Sequence, residues 1–396
     1  MLLIIVKRGV RMAEIFFSPI TQVLNNRSPG VLIAGSPGSG KTFAMLNMAA
    51  GVLEQGCNIF ALDAKNDMLA LKNIFPDIKT TDVNNIAPGS LDPFLVFSDV
   101  DSTIILTIVE ILCGDLTSPQ KLAITPIIGD FVKRVKLLNG STTFREFADY
   151  LYANQNPDAQ LIGNQLLINS DTKYGPLIFG LPGRKSKPMS LKKENRIISI
   201  FGMTLPSGST TPKPDELVSA AIVYIICRMM KLVLTRETDQ TKISQKNLSF
   251  NQTKKEKTNK KKKTPILVIL DECHMLMRSE AIKDVIDELL VLGRSLGVSV
   301  CMASQNVTHF DPDIAQHVAS KFSFRMSKKE AEEFFNLFDN SSSGNELDVA
   351  ECIECTTRLK TGYCFFIDSK ERCTLMHVTS PYDQGDLTSN PLLKKR

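Results

Sequence analysis

The residues most suited to chemistry form a glycine-rich run between a short apolar segment and a helical pattern. The run matches G-x-x-x-x-G-K-[ST] and comprises Gly35, Ser36, Pro37, Gly38, Ser39, Gly40, Lys41 and Thr42. Glycines let the backbone curl so that successive N–H groups face a phosphate, and the following helix adds its partial positive charge. Lys41 is expected to reach the β- and γ-phosphates, and Thr42 to hold Mg²⁺. The run therefore predicts a site for ATP with Mg²⁺.

Two acids, Asp271 and Glu272, follow the apolar run at 266–270. Ligands of open α/β sheets bind at the carboxyl ends of the strands, so both acids are expected to face the nucleotide. Asp271 is suited to contact Mg²⁺ indirectly, through the ligands bound to the ion, and Glu272 is suited to act as the base that activates water. The alternative is that both acids only form the N-terminus of a helix. The glycine-rich run at residues 35–42 favours the catalytic interpretation over this one.

A further polar residue, Gln305, ends the apolar run that begins at Val298. We expect its amide to lie beside Glu272 and to sense the γ-phosphate or orient water. Arg294 lies before that run, in the expected helix-to-strand connection, and Arg325 lies in the next strand-like segment. Either arginine could act as a finger on a neighbouring subunit's γ-phosphate, and a surface salt bridge is the alternative for each.

Two other polar groups lie close to these motifs. Asp63-Ala-Lys65 follows a second apolar run, so it is expected at the same sheet edge, in a supporting role or as a helix cap. His274 follows the acid pair closely, but no helicase motif accompanies it, and it is interpreted as incidental.

The elements that position these residues alternate between strand-like and helical patterns, which favours an α/β fold with a mostly parallel sheet. The predicted strands are 31–34, 58–62, 196–201, 266–270, 298–302, 363–367 and 373–378, the last two as a hairpin. Residues 99–194 instead show successive helical patterns, too long for a simple crossover. They are predicted to form an inserted all-α subdomain.

These patterns divide the chain into an ATPase core of residues 1–98 and 195–380, the insert, and a tail of residues 381–396. Residues 237–264 are rich in Asn, Gln, Thr, Ser and Lys and end in a lysine run. Such a segment buries little apolar surface and is predicted to be a flexible loop. It is either a solvated linker or a basic segment that touches nucleic acid or acidic lipid.

Composition sets broad limits. The 396 residues are 43% hydrophobic with a net charge of +5, as in ordinary globular proteins, and the charge does not itself indicate nucleic acid. The nine cysteines form no framework and are expected to be free thiols, including the Cys352-x-x-Cys355 pair. No membrane span is predicted, because the N-terminal apolar run is too short and Arg228 and Lys231 interrupt the longest other one.

The order of the motifs resembles the FtsK/HerA superfamily of ring-shaped ATPases, and most of all the ATPases of conjugation and type IV secretion. The resemblance rests on residues 31–42, 59–65, 89–94, 266–272 and 292–305, with weaker likeness at 319–326 and 359–364. It implies a RecA-like P-loop core with an inserted all-α domain, and a homohexamer whose sites lie between subunits. It also implies that Lys41, Thr42, Asp271, Glu272 and Gln305 act as argued above.

The resemblance further implies DNA and membrane-embedded secretion or conjugation proteins as partners, and a cytoplasmic protein at or near the inner face of the membrane. The residues at 92–94 and the terminal hairpin favour the channel-energising branch over the coupling-protein branch. The leading hypothesis is an ATP-driven motor that transfers DNA or protein substrates. The alternatives are a soluble DNA translocase or packaging ATPase, and an assembly module that binds ATP with little turnover.

Overall fold

The computed structural model describes residues 6–7, 10–13, 30–97, 100–137, 142–184, 186–206, 211–248, 265–305, 307–308, 310, 312–337, 349–368 and 373–380. Within these described residues, eleven strands form one sheet in the order β1-β2-β11-β10-β9-β3-β8-β7-β4-β6-β5. The strands are β1 Val6–Lys7, β2 Val10–Ala13, β3 Gly30–Ala34, β4 Asn58–Asp63, β5 Lys79–Asp82, β6 Arg196–Ser199, β7 Ile266–Leu270, β8 Val298–Ser304, β9 Val318–Phe324, β10 Tyr363–Ile367 and β11 Cys373–His377.

Along the sheet order from β9 to β5, every pair of neighbouring strands is parallel, whereas β10 is antiparallel to both β9 and β11. Strands β3, β7, β8 and β9 are buried along their whole length, as expected of apolar strands covered on both faces. Each strand predicted from an apolar run is present, with small shifts at the ends. Strand β5 has no apolar run that predicts it, because it lies at the sheet edge and its residues Lys-Thr-Thr-Asp are polar.

Helices cover both faces of the sheet. They are α1 Lys41–Glu54, α2 Pro93–Val96, α3 Ser102–Cys113, α4 Ser118–Leu137, α5 Phe144–Tyr152, α6 Pro157–Ser170, α7 Gly175–Phe179, α8 Pro214–Leu248, α9 Cys273–Leu276, α10 Glu280–Leu296, α11 Pro312–Gln316, α12 Lys328–Leu337 and α13 Val349–Thr357. One apolar cluster joins α1 to one face of the sheet. The other face packs against α8, α10 and the helices that follow β5. The predicted α/β fold is thereby confirmed.

Helices α2 to α7 lie between β5 and β6 in the chain, and α3 to α7 fall within the predicted all-α insert of residues 99–194. Asp92, which is fully buried, ties this insert to the core. Its Oδ1 accepts from Phe94 N at 2.9 Å and its Oδ2 from Phe144 N at 2.8 Å, so one carboxylate caps two helices. The insert and core share one continuous apolar cluster. The insert boundaries proposed from sequence, at 98/99 and 194/195, stay a prediction.

The long helix α8 corrects one expectation. It continues to Leu248, so residues 237–248 are helical rather than part of the predicted flexible loop, and the remainder of that loop, 249–264, lies outside the described residues. Its Pro214–Thr235 part is long and apolar enough to cross a membrane, but 78% of its most apolar window is buried inside the protein. That burial is typical of a core helix, and Arg228 and Lys231 both lie close to Glu288 of α10.

Candidate functional site

The glycine-rich loop connects β3 to α1, as the motif requires. Neighbouring strands hold the loop from both sides, because Gly35 N donates to Ser304 O at 3.3 Å and Ser36 N donates to Arg325 O at 2.8 Å. Gly40 has φ 112°, a left-handed conformation that favours glycine, and it starts the helix without a side-chain cap. The first N–H groups of α1 therefore face the loop, where a phosphate would accept from them.

Lys41 is folded back across this loop. Its Nζ donates to Gly35 O at 2.5 Å and to Ser36 O at 2.9 Å, and burial lowers the pKa of its ammonium to about 8. Ser39 Oγ is buried and has no hydrogen-bond partner among the described residues. The loop thus presents an ammonium and an unsatisfied hydroxyl to the space that it encloses, which are groups that anionic oxygens would satisfy.

Asp271 lies at the carboxyl end of β7, with its backbone N donating to Leu62 O at 3.2 Å. Burial raises the pKa of its carboxyl to about 7, and the charges of Glu272 and Asp63 add to the shift. Its Oδ2 is buried without a hydrogen-bond partner among the described residues. A buried carboxylate oxygen in that state fits a cation, which would supply the missing partner.

Glu272 has the most crowded carboxylate of the site. Its backbone adopts φ 49° and ψ 41°, a left-handed conformation that is uncommon for a residue with a side chain. Its Oε1 forms an ion pair with Lys65 and accepts from Gln305 Nε2 at 2.5 Å, while His274 Nδ1 lies 3.2 Å from its Oε2. Burial favours a higher pKa, but the interactions with His274, Lys65 and Gln305 outweigh it and lower the pKa of Glu272 to about 2.

The structure therefore places Gln305 beside Glu272, at the position that the sequence analysis expected. It also places beside Glu272 two residues for which the sequence predicted a smaller role or none. Lys65, expected only in a supporting role, pairs directly with Glu272, and His274, interpreted as incidental, contacts the same carboxylate. A hint for Lys65 was available in the sequence, because parallel strands end at one edge and it follows a strand end. For His274 the signal was its two-residue spacing from Glu272.

The two candidate arginines lie in different settings. Arg325 follows β9, and its carbonyl holds the glycine-rich loop of its own chain. Arg294 lies in the last turn of α10 and not in the helix-to-strand connection, because the helix continues to Leu296 and ends at the left-handed Gly297. Val291 and Leu292, on the same helix, have exposures of 53% and 38%.

A cavity of about 130 Å³ adjoins the two acids on the side of β4 and β6. Lys65, Ile200, Met203, Asp271 and Glu272 are among the residues that line it. The space is too small for a nucleotide but is large enough for water molecules beside the Glu272 carboxylate.

Comparisons with known proteins agree with this geometry. The sequence profile of the AAA-like domain family matches residues 20–257 and 247–387. No curated protein matches the chain by sequence. Among solved structures, VirB4 of Thermoanaerobacter pseudethanolicus is similar with a TM-score of 0.64 and 15% identity, over 90% of each chain. Plasmid coupling protein TrwB, in complex with a non-hydrolysable GTP analogue, is similar with a TM-score of 0.54 and 14% identity, over 98% of this chain and 97% of that one. At such identities the likeness establishes the RecA-like fold.

Proposed function

This chain belongs to the AAA-like domain family, and from that membership we propose that it is an ATP-hydrolysing oligomeric motor that drives substrate transfer in a conjugation or type IV secretion apparatus. One observation carries the proposal. The phosphate loop, the acid pair and Gln305 converge on one sheet edge, and Gln305 donates to Glu272 across 33 residues of sequence. This arrangement can bind a nucleoside triphosphate and activate water beside its γ-phosphate.

Each residue then has a distinct role in the proposed reaction. The backbone N–H groups of residues 35–42 and the Lys41 ammonium bind the phosphates and stabilise the negative charge that develops on the γ-phosphoryl oxygens. Glu272 accepts the proton of the attacking water, and Gln305 holds Glu272 and senses the γ-phosphate. Lys65 leaves Oε1 when water takes its place, which its position allows, since 47% of its side chain is exposed against 6% for Glu272.

Mg²⁺ fits the residues present. Thr42 and Asp271 would hold it, and the unsatisfied Oδ2 of Asp271 supports that assignment. Among the described residues no cluster of three or more His, Cys, Asp or Glu side chains could hold a metal ion. A site with few protein ligands suits Mg²⁺, which keeps waters and takes further ligands from substrate phosphates. When bound, Mg²⁺ neutralises charge on the β- and γ-phosphates.

A homohexamer with shared sites is the proposed assembly. Pro37 and Gly38, at the crest of the phosphate loop, are exposed, so a single chain leaves one side of the nucleotide uncovered. We propose Arg294 as the finger that a neighbouring subunit supplies, because the exposed Val291 and Leu292 beside it form an apolar surface that a subunit would cover. Arg325, whose carbonyl holds its own loop, then acts within its own chain.

The transported substrate and the location follow from the likeness to TrwB, a bacterial conjugative coupling protein, and from the sequence resemblance to the channel-energising ATPases. The proposed partners are DNA and membrane-embedded proteins of the apparatus, with the motor in the cytoplasm at the inner face of the membrane.

The test is steady-state ATPase activity of the full chain with and without DNA, at low and moderate salt, together with its mass in solution. Glu272→Gln should lower ATP turnover by at least about a hundredfold, while the variant still binds ATP. Glu54→Gln is the matched control, because Glu54 is exposed in the last turn of α1, at the opposite end of that helix from the phosphate loop.

DNA-stimulated turnover from a hexamer supports a DNA motor. Turnover that DNA leaves unchanged, but that proteins of the native membrane fraction stimulate, supports a secretion motor. Tight ATP binding with the same negligible turnover in wild type and in Glu272→Gln, with DNA or membrane proteins present, contradicts the proposal and favours an assembly module.

A further inference from the structure

The turn that precedes β10 lies directly against the phosphate loop, although more than 320 residues separate the two in sequence. Gly362 N donates to Ser39 O at 3.0 Å, and Thr361 Oγ1 donates to Gly38 O at 3.3 Å. The approach is close enough that a Cβ on Gly40 would lie 3.0 Å from Gly362 N. This turn lies within residues 359–364, which are part of the sequence resemblance but for which no role was predicted.

The sheet order shows which part of the nucleotide this turn can meet. Strand β3, which leads into the phosphate loop, has β8 and then β7 on one side, and β9 and then β10 on the other. Asp271, Glu272 and Gln305 follow β7 and β8 and therefore occupy the first side. A γ-phosphate that faces those three residues leaves the nucleoside end of the nucleotide on the opposite side, toward β9 and β10.

Two stacked rings lie at that second side. Tyr363 and His377 pair across the β10–β11 hairpin, with ring centroids 4.3 Å apart and ring planes 13° from parallel. Both side chains are partly exposed. His377 is also next to the turn, because a Cβ on Gly362 would lie 3.5 Å from His377 Nε2. Flat, partly exposed aromatic surfaces are what a purine base stacks on.

We propose that the turn at Thr361 and Gly362 and the Tyr363–His377 ring pair form the nucleoside-binding side of the ATP site. This inference rests on the proposed function only in taking ATP as the ligand. The phosphate loop binds the triphosphate, and the ring pair adds affinity through stacking on the base. The terminal hairpin thereby takes part in nucleotide recognition in addition to extending the sheet beyond β9.

The test compares Mg-ATP with magnesium tripolyphosphate, which has the phosphates but no nucleoside, by calorimetric titration of the full chain. Tyr363→Ala should weaken ATP binding about tenfold and leave tripolyphosphate binding within about twofold of wild type. Tyr363→Phe keeps the ring and should keep both affinities. Tyr152→Ala is the matched control, since Tyr152 is 49% exposed on α5 and should change neither affinity.

Equal weakening of both ligands by Tyr363→Ala, or no effect on either, overturns the inference. A photoreactive ATP with an azide on its base, crosslinked to the unmodified protein, gives a reading that does not depend on any variant folding. Crosslinks at 360–363 or 377 support the inference, and crosslinks confined to other segments overturn it. ATP turnover by the wild-type protein tests the proposed motor activity separately. A protein that binds ATP in this way without hydrolysing it would support the nucleoside-binding inference and contradict the motor function.

Discussion

Lys65, just after β4, forms an ion pair with Glu272, just after β7, and the two residues are 207 positions apart in sequence. Glu272 Oε1 also accepts from Gln305, so the oxygen that would take a proton from water is occupied twice in this structure. The carboxylate is buried, and Lys65 is its partly exposed partner. We therefore propose that Lys65 is a positioning residue that acts through Glu272.

Lys65→Met should lower kcat about tenfold with little change in KM, because it leaves Glu272 without its cationic partner while the phosphate contacts stay intact. Lys65→Arg keeps the charge and should restore most of the rate. Steady-state ATPase kinetics of both variants provide the measurement. A rise in KM without a loss of kcat, or an equal loss in both variants, would show that Lys65 does not act through Glu272.

The proposed roles of the two arginines make opposite predictions for mixed oligomers. Lys41→Ala and Arg294→Ala should each be inactive alone, and an equal mixture should regain about a quarter of the wild-type rate if sites lie between subunits and act independently. A mixture of Lys41→Ala with Arg325→Ala should stay inactive, because both residues then belong to the same chain's half of the site. Rescue in the second mixture and not in the first would reverse the two assignments.

Two glycines of the phosphate loop offer a comparison of substitutions. Both have positive φ, but the 70° of Gly38 lies in the left-handed region that alanine can enter at a cost, whereas the 112° of Gly40 lies outside it. A Cβ at Gly40 would also press on Gly362 N at 3.0 Å, whereas a Cβ at Gly38 would meet nothing within 4 Å. Titration with Mg-ATP should therefore show a loss of affinity for Gly40→Ala at least about tenfold larger than for Gly38→Ala. Equal losses would contradict both the greater strain at Gly40 and its contact with Gly362.

Asp92 should matter for stability rather than for catalysis. Asp92→Ala leaves the buried N–H groups of Phe94 and Phe144 without their acceptor, and the free energy of unfolding should fall by about 2 to 4 kcal/mol. Denaturant unfolding provides the measurement. Asp130→Ala is the control, because Asp130 is exposed and its ion pair with Lys133 on α4 contributes little. Equal stability of the two variants would argue against the double cap.

The same residue predicts a pH dependence. Burial raises the pKa of Asp92 from 3.8 to about 7, so the folded state holds this proton more tightly than the unfolded chain. The resulting stabilisation is fully present below about pH 4 and is lost as the pH rises through about 7. Asp92→Asn does not titrate, so its stability relative to wild type should improve between about pH 5 and about pH 8. A difference that stays constant over that range would place the Asp92 pKa near its ordinary value.

Much of the fold could be predicted because its signals are local. Strands β3, β4, β7 and β8 are buried on both faces. Their sequences are therefore largely continuous apolar runs, which can be recognised as strands from the sequence. Strand β5 could not be found in this way, since its Lys-Thr-Thr-Asp sequence is set by an exposed sheet edge. Helix α8 extends through residues that composition alone assigned to a loop.

The sequence by itself determined the phosphate loop and the acid pair, because each consists of neighbouring residues whose spacing directly encodes the local backbone. It also determined that both lie at strand ends, and hence at one sheet edge. Only the tertiary structure decided that Lys65 and His274 contact Glu272, that Arg294 lies within a helix, and that Gly362 rests on the phosphate loop. The physical reason is that the contacts of Lys65 and Gly362 depend on strand order and on the packing of distant segments, which periodicity and local spacing do not specify.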